Sequence, residues 1–446
     1  MNRLRVLLVT GAWKSHLYQM VPLAWALQSA GHEVRVAADR GFAGSIAETG
    51  LIAVPVGSDE SLAERFQRAR GADAPKMSAQ VPAFMAGTHF QDALFHLGGG
   101  PREELNPEEL AFLLATLLPA MWMVNDEMVE DLVDYCRFWQ PDLVLRDVVA
   151  HAGGVAADVV GAAHGRVMGW NDTFHRVRRD LLSAQRRRPA EPDHVRGWYE
   201  GWAEQYGRPF TEETITGQFA VNVLPERWRL EPHDRTLSMR YVPFNGPSVV
   251  PSWLTEPPRA PRVLMTFGIS RVEWVDAVEM TRDHVQEMLD AAADLDVELI
   301  VTLPKEDRDR LRGVPKNTRV VEFVPMNVLL PTCTAVIHHG GAGCFNSAMV
   351  YGIPQIIVEG SVDAIAKRRM LHETGAGVSL TLDAFSGPVM RDHITSLIKD
   401  DAFREGAERL RQEALGHPTP DELVPELERI ASEHRARRSG GAGSRG

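Results

Sequence analysis

Cysteine is scarce in this chain of 446 residues, which contains only Cys136, Cys333 and Cys344. Three widely spaced cysteines without a CxxC pair exclude a disulfide scaffold and indicate a reduced, intracellular protein. Long apolar runs are also missing, because the run at residues 6–10 is too short for a signal-peptide core or a membrane span. We therefore expect a soluble cytoplasmic protein that does not bind a membrane.

Positive charge is in deficit, since 48 Lys and Arg residues stand against 60 Asp and Glu residues for a net charge of −12. This deficit argues against nucleic-acid binding through a broad basic face. Hydrophobic residues at 44% and charged residues at 24% are ordinary globular values, and they exclude a disordered or collagen-like chain. The length exceeds the usual domain of roughly 100–200 residues, so it predicts two or three domains.

The first sixty residues alternate between strand and helix patterns. Residues 4–10 form an apolar run of strand length, and residues 33–38 form a second one. Between them we expect a loop at 11–19 and a helix from about residue 21 to residue 30, with Pro22 in its first turn. A strand, a helix and a strand in this order predict a βαβ unit and a parallel sheet.

The middle of the chain is less regular. Residues 141–145 return to strand character, and residues 148–161 have the pattern of a helix. Residues 171–215 are polar, basic around 176–188 and then rich in tryptophan, so we interpret them as a helical insertion outside the sheet. We expect the basic run to be a solvated helix face, with an anionic partner as the alternative.

A second alternating series follows a proline-rich stretch at 241–261, where six prolines exclude a helix or a central strand. Its candidate strands are residues 262–267, 297–303, 318–323, 335–338 and 354–358, and two helices are expected near 387–399 and 421–436. The fold class is therefore α/β, with two Rossmann-like, doubly wound domains that face each other across a cleft. The predicted organisation is an N-terminal domain at 1–240 with helical insertions, a linker at 241–261, a C-terminal domain at 262–420, a closing helix at 421–438 and a flexible tail at 439–446.

The most informative motif is His-His-Gly-Gly-Ala-Gly at residues 338–343, which follows a short apolar strand and precedes an expected helix at 345–351. Glycines let the backbone approach a ligand closely, and the helix N-terminus offers N–H groups to a phosphate. The motif is neither GxGxxG nor a phosphate loop with its lysine. Taken alone, it fits a glycine-rich turn with a buried histidine equally well.

The surrounding motifs resemble the nucleotide-sugar signature of family-one glycosyltransferases with the two-domain GT-B fold. The resemblance lies in residues 323–333, 338–343 and 352–355 and in Asp363. It extends to the start of the chain, where residues 14–17, 21–26 and 31–34 are similar to the acceptor domain of that family.

A narrower resemblance links residues 239–242 and 245–251 to actinomycete enzymes that attach deoxysugars to macrolide and anthracycline aglycones, of the desosaminyl and aclacinomycin types. The resemblance covers residues 4–433. It implies a dTDP-deoxysugar as the donor substrate and a polyketide aglycone as the acceptor. It also implies an auxiliary activator protein similar to a cytochrome, for which we expect docking at 171–215, and it leaves open whether the chain forms a homodimer.

The resemblance assigns a donor site. His339 would contact the diphosphate beside the backbone N–H groups of Gly343 and Cys344, and Gly268 and Gly341 belong to the same site. The base, expected to be thymine, would lie between Val324 and Met326, while Asp363 would bind sugar hydroxyls.

Two residues depart from the family pattern. Ala364 stands where relatives that use hydroxyl-rich sugars have glutamine, and Phe345 stands where a small residue often follows the glycine loop. The missing glutamine fits a deoxygenated sugar, or else impaired donor binding. We expect His338 to be a packing histidine of the core.

His16 is the predicted catalytic base, which would take a proton from the acceptor hydroxyl as that oxygen attacks the anomeric carbon. Asp147 would orient and stabilise the resulting imidazolium. The alternatives are an ordinary loop histidine and a helix-capping aspartate. No paired carboxylates for a retaining reaction and no HExxH or other ligand cluster are evident, so we expect inversion without a metal or other cofactor.

The predicted function is therefore an inverting glycosyltransferase of antibiotic biosynthesis. The alternatives are a nucleotide-sugar epimerase of the same fold and a non-catalytic subunit, whereas the missing GxGxxG excludes an NAD-dependent dehydrogenase. The acceptor is expected to meet aromatic side chains of the N-terminal domain, although any one of them fits the core better. These are Phe84, Phe90, Phe95, Phe112, Trp122 and Trp170.

Overall fold

The structure, a computed structural model, describes residues 3–61, 64–65, 107–187, 193–229, 235–268, 282–358, 364–382 and 384–442, without the side chains of 107–120, 282, 364–366 and 439–442. The chain divides into two units. The first comprises Met1–Met239 and Pro418–Gly446, and the second comprises Arg240–His417. The predicted linker at 241–261 belongs to the second unit in this division. None of the described helices is both long and apolar enough to cross a membrane.

A parallel sheet organises the first unit. Its seven described strands are β1 (Arg5–Val9), β2 (Glu33–Asp39), β3 (Ala53–Val56), β4 (Leu143–Asp147), β5 (Ala163–Met168), β6 (Phe219–Asn222) and β7 (Thr236–Ser238). They lie in the order β3-β2-β1-β4-β5-β6-β7, and every neighbouring pair is parallel. Every residue of β4, β5 and β6 is buried, as expected for strands covered on both faces. This strand order is the Rossmann order, and its direction reverses between β1 and β4.

Helices connect these strands. Those described before the second unit are α1 (Lys14–Ser29), α2 (Ala43–Ala47), α3 (Pro107–Trp139), α4 (Ala152–Val160), α5 (Thr173–Arg187), α6 (His194–Gln205) and α7 (Glu212–Thr216). Helices α5 to α7 confirm the predicted helical insertion for the described parts of residues 171–215, whereas residues 188–192 lie outside the described residues.

Helix α1 begins at Lys14, so the predicted loop at 11–19 and the predicted helix start near residue 21 are wrong. The apolar repeat continues back through Pro22, which lies inside the helix although its ring nitrogen has no hydrogen to donate. Burial of one helix face outweighs that lost bond, and the buried residues include Leu17, Met20, Val21 and Ala24. His16 consequently lies in the first turn of a helix.

We expected the basic run at 176–188 to be a solvated helix face. Its first two arginines are buried instead. Arg176 and Arg178 are 3% and 2% exposed. The Arg178 guanidinium pairs with Asp193 at 2.6 Å and with Glu212 at 2.5 Å. Both carboxylates lie outside the run, which is why the charge pattern of the run alone predicts solvation.

The second unit repeats the same topology. Its six described strands are β8 (Arg262–Thr266), β9 (Glu298–Thr302), β10 (Thr318–Val321), β11 (Ala335–His338), β12 (Gln355–Val358) and β13 (Gly377–Leu380). They lie in the order β10-β9-β8-β11-β12-β13, all parallel, and the order reverses between β8 and β11. The described helices are α8 (Arg282–Ala292), α9 (Lys305–Arg308), α10 (Met326–Leu329), α11 (Ala342–Tyr351), α12 (Ala364–Thr374), α13 (Gly387–Lys399) and α14 (Asp401–Leu415).

Side chains of this sheet alternate between two apolar clusters. Val263 and Met265 of β8 join one cluster, while Leu264 between them joins the other. This is the period of two that a pleated strand imposes, and it shows that the sheet is covered on both faces.

The last helix, α15 (Pro420–Ala442), follows the second unit in sequence but belongs to the first. Its Glu428 lies 3.2 Å from His32, and its Arg435 pairs with Asp142. The helix continues into the segment predicted as a flexible tail, and residues 443–446 lie outside the described residues.

Two helical glycines of the first unit provide a test of packing. A Cβ added to Gly154 in α4 would lie 2.5 Å from the backbone oxygen of Thr214, whereas one added to Gly201 in α6 meets nothing within 4 Å. We expect Gly154→Ala to lower the free energy of unfolding by about 1–3 kcal/mol through overpacking. Gly201→Ala should raise it by about 0.5–1 kcal/mol, because alanine has less backbone freedom to lose. Urea unfolding measures both, and equal effects of the two substitutions would contradict this packing.

Candidate functional site

The reversal of strand order in the first sheet brings His16 and Asp147 together. His16 lies in the first turn of α1, which follows β1, and Asp147 is the last residue of β4. His16 Nδ1 lies 2.9 Å from Asp147 Oδ2, although 131 positions separate the two residues in sequence. The side chain of Asp147 is fully buried, while that of His16 is 30% exposed. The pair therefore combines a buried carboxylate with a ring that solvent reaches.

Backbone groups hold the Asp147 carboxylate. The N–H of Gly11 donates to Oδ2 at 3.2 Å, and the N–H of Val149 donates to Oδ1 at 3.2 Å. Burial alone raises the pKa of Asp147, but the contact with His16 and the two backbone donors together hold that pKa below its ordinary value. Asp147 is thus ionised at neutral pH. When the His16 ring is neutral, its Nδ1–H donates to the Asp147 carboxylate, and the free lone pair of the ring is therefore on Nε2.

Asn125 of α3 fixes the segment that follows Asp147. Its side-chain amide donates to the Val149 carbonyl at 2.9 Å and accepts from the Ala152 N–H at 2.8 Å. Asn125 is fully buried, and these two bonds hold both ends of the turn between β4 and α4. Sequence reasoning missed this residue, because an isolated asparagine within a helix pattern gives no signal of distant backbone partners.

The glycine-rich motif lies at the corresponding reversal in the second sheet. His338, the last residue of β11, is fully buried. Its Nδ1 accepts from the Gly340 N–H at 3.0 Å, so its Nε2 carries the hydrogen that Gln355 Oε1 accepts at 2.8 Å. Burial lowers the pKa of His338 to about 3, which keeps the ring neutral. The prediction that His338 is a packing histidine of the core is confirmed.

Three of the predicted donor-site residues meet around one ring. A Cβ added to Gly341 would lie 2.5 Å from His339 Nε2, and one added to Gly268 would lie 2.9 Å from His339 Cε1. Both glycines therefore leave space for the imidazole of His339, which is itself 7% exposed. Any larger residue at either position would displace this ring.

Gly343 and Cys344 lie in the first turn of α11, which begins at Ala342. N–H groups in the first turn of a helix point toward its N-terminus and suit an anion. Burial raises the pKa of the Cys344 thiol to about 12, so at neutral pH this residue supplies its backbone N–H and not a thiolate.

The remaining predicted donor residues are only partly described. Val324 is buried in an apolar cluster against which Met326, the first residue of α10, packs. Asp363 lies outside the described residues, and Ala364 is the first residue of α12. Phe345 is fully buried, so its side chain does not project from the N-terminus of α11 into solvent.

The aromatic residues expected at the acceptor are also described only in part. Trp170 is 6% exposed and follows β5, while Trp122 on α3 is 37% exposed. Phe84, Phe90 and Phe95 and the side chain of Phe112 lie outside the described residues. A role of this set in acceptor binding stays a prediction.

Among the residues that the structure describes, no group of three or more His, Cys, Asp or Glu side chains could hold a metal ion. The expectation that transfer proceeds without a metal stays a prediction. All three cysteines of the chain are free and buried.

Comparison with known proteins identifies the family. The model of the erythromycin biosynthesis protein CIII-like N-terminal domain matches residues 25–268, and that of the corresponding C-terminal domain matches residues 286–430. The 10-deoxymethynolide desosaminyltransferase of Streptomyces venezuelae is 41% identical over 441 residues, which cover 97% of this chain and 98% of the relative. The aclacinomycin-T 2-deoxy-L-fucose transferase of Streptomyces galilaeus is 40% identical over 444 residues, which cover 97% of each chain.

A solved structure gives the same result for the fold. The glycosyltransferase VinC in complex with dTDP matches with a TM-score of 0.81 and 33% identity, over 96% of this chain and 100% of that chain. The match confirms the predicted GT-B class with two Rossmann-like domains. The named relatives confirm the predicted enzyme class and do not support the epimerase alternative. The chain belongs to the erythromycin biosynthesis protein CIII-like family of glycosyltransferases.

Proposed function

We propose that this protein transfers a deoxysugar from a dTDP-deoxysugar to a hydroxyl group of a polyketide aglycone, with inversion at the anomeric carbon. The observation that carries the proposal is the 2.9 Å contact between His16 and the buried Asp147 at the strand-order reversal of the first unit. Relatives named as transferases of desosamine and of 2-deoxy-L-fucose support the sugar class, and the dTDP complex of VinC supports the nucleotide.

The first unit supplies the catalytic base, His16. The acceptor hydroxyl gives its proton to His16 Nε2 while its oxygen forms the new bond to the anomeric carbon. The bond between that carbon and the diphosphate oxygen breaks at the same time, and dTDP leaves with the electron pair. Asp147 stabilises the imidazolium that forms, because its carboxylate is already ionised and already bonded to Nδ1.

The second unit supplies the donor contacts. His339 and the backbone N–H groups of Gly343 and Cys344 bind the diphosphate, since an imidazole and a helix N-terminus both suit an anion. Gly268 and Gly341 make room for the His339 ring.

The same unit contacts the thymine and the sugar of the donor. Val324 and Met326 flank the thymine, and Asp363 binds the sugar. Ala364 offers no amide to a sugar hydroxyl, which agrees with a donor that has lost one. No residue in this scheme requires a metal ion.

We place the reaction in the cytoplasm because all three cysteines are free thiols. A homodimer stays a prediction that light scattering on the purified chain tests directly.

Replacing the proposed base should separate chemistry from donor binding. We expect His16→Ala and Asp147→Asn each to lower kcat by about 100-fold or more, the usual contribution of a general base, while the Kd for dTDP changes by less than about twofold. Steady-state kinetics and calorimetric titration with dTDP measure the two effects. His372→Ala, at an exposed position of α12, is the control and should leave both constants unchanged. Near-normal turnover of His16→Ala would remove His16 from the mechanism.

Titration with nucleotides tests the donor site. We expect the wild-type protein to bind dTDP in preference to UDP and NAD. His339→Ala should raise the Kd for dTDP about tenfold or more, the size expected for one lost hydrogen bond to a charged group. If the wild-type protein does not bind dTDP, Ala364 and Phe345 become signs of a silenced site, and a non-catalytic subunit becomes the better explanation.

An auxiliary activator protein similar to a cytochrome is expected to dock on the helical insertion α5 to α7. This insertion carries a row of aromatic side chains along α6, in which the rings of Trp198 and Trp202 lie 6.2 Å apart and those of Trp202 and Tyr206 lie 6.4 Å apart. Aromatic side chains are enriched at protein interfaces. We expect higher turnover from co-expressed pairs than from the purified chain alone, and equal turnover would exclude the auxiliary protein.

A further inference from the structure

Two buried side chains form hydrogen bonds with the backbone of Gly340, one at its N–H and one at its carbonyl, and the proposed reaction uses neither of them. The N–H of Gly340 donates to His338 Nδ1 at 3.0 Å, and the carbonyl of the same residue accepts from Lys367 Nζ. His338 comes from β11 and Lys367 from α12, and both are fully buried. Gly340 is thereby fixed to two separate elements of the second unit.

A fully buried lysine is uncommon, because its ammonium loses its hydration and needs polar groups in return. Lys367 meets a backbone carbonyl, and its Nζ also lies 6.0 Å from the centre of the Phe345 ring. Phe345 belongs to the first turns of α11. Lys367 therefore bonds to the glycine-rich loop and also lies over a ring in the first turns of the helix that follows this loop.

The position of Gly340 determines where the next residues lie. Gly340 has a φ of +89°, in the left-handed region, so the chain changes direction sharply there. Gly341 follows as the N-cap of α11. A Cβ added to Gly341 would lie 2.5 Å from His339 Nε2, so this residue lies directly beside the His339 ring. A displacement of the Gly340 carbonyl would move the N-terminus of α11 and the space that the His339 ring occupies.

We propose that Lys367 is a positioning residue for the diphosphate, which acts by holding the Gly340 carbonyl so that His339 and the N-terminus of α11 converge on one anion. The proposal rests on the proposed function, because it assumes that this loop binds the diphosphate of the donor. His338 is the second half of the same device, since it holds the N–H of Gly340. The positive charge of Lys367 adds to the attraction for an anion at this loop.

The experiment compares two substitutions on one helix. Lys367→Met removes the ammonium and keeps a long side chain, while Arg369→Met removes a positive charge from an exposed position that pairs with Glu373 at 2.6 Å. Calorimetric titration with dTDP and with thymidine, which lacks the diphosphate, measures binding. We expect Lys367→Met to raise the Kd for dTDP about tenfold, as for one lost charge-assisted bond, and to change thymidine binding by less than about twofold. Arg369→Met should change neither.

Kinetics and a conservative variant separate positioning from general damage. Lys367→Met should raise KM for the donor more than it lowers kcat, and Lys367→Arg, which keeps a cation and a donor, should recover part of the lost dTDP affinity. Equal losses of dTDP and thymidine binding, or dTDP binding within about twofold of the wild type, would overturn the role of Lys367. Failure of the wild-type protein to bind dTDP would overturn the proposed function and this role together.

His338→Gln tests the contact at the N–H of Gly340, and it decides between the outcomes if Lys367→Met does not fold. Glutamine keeps a polar side chain but lacks the ring that accepts from Gly340 and donates to Gln355. We expect the same selective loss of dTDP over thymidine. Unchanged dTDP binding by a folded His338→Gln would overturn the role of the His338 contact with the Gly340 N–H.

Discussion

Parallel strands end at one edge of a sheet, and where their order reverses the loops that follow two neighbouring strands turn away from each other. The described strands of each unit have one such reversal. In the first unit it brings the start of α1 to the end of β4, and in the second it brings Gly268 beside His339. Strand order, rather than any local motif, is what joins a histidine to a carboxylate 131 positions away.

Buried charge then fixes these loops in place. Asp147 is held by His16 and by backbone N–H groups, Lys367 by the Gly340 carbonyl, and Arg178 by carboxylates from two other segments. Removing an ion from water is unfavourable, so each of these side chains depends on the partners that replace its hydration. Loss of one partner leaves the other charge buried and uncompensated. The loops that carry the proposed chemistry are therefore attached to the sheets by polar contacts that tolerate little displacement.

The strands of the second sheet could be predicted from the sequence because they are continuous apolar runs. The predicted strand at 335–338, for example, coincides with β11. Strand β5 gave no such run, because it contains His164 and Arg166, and Arg166 is buried in an ion pair with Asp172. The predicted start of α1 near residue 21 is wrong because proline is favoured in the first turn of a helix, whereas Pro22 lies in the interior of this one. The roles proposed for His16 and Asp147 come from the family resemblance, and the structure adds the contact between the two side chains.

Contacts between side chains and distant backbone atoms could not be predicted from the sequence. Asn125 and Lys367 bind the main chain of segments 24 to 27 positions away, and a main-chain group leaves no mark in the sequence of side chains. The same holds for the space beside the His339 ring, where the requirement for glycine becomes visible only once Gly268 and Gly341 are placed on either side of it.

The return of the chain to the first unit has a consequence for recombining enzymes of this family. The polypeptide leaves the first unit after Met239 and re-enters it at Pro418, so the second unit is an insertion within the first. A chimera built with a single crossover would exchange α15 as well, and would lose the matched contacts of Glu428 with His32 and of Arg435 with Asp142. Exchanging the second unit between relatives therefore calls for two junctions, with α15 retained from the parent that supplies the rest of the first unit.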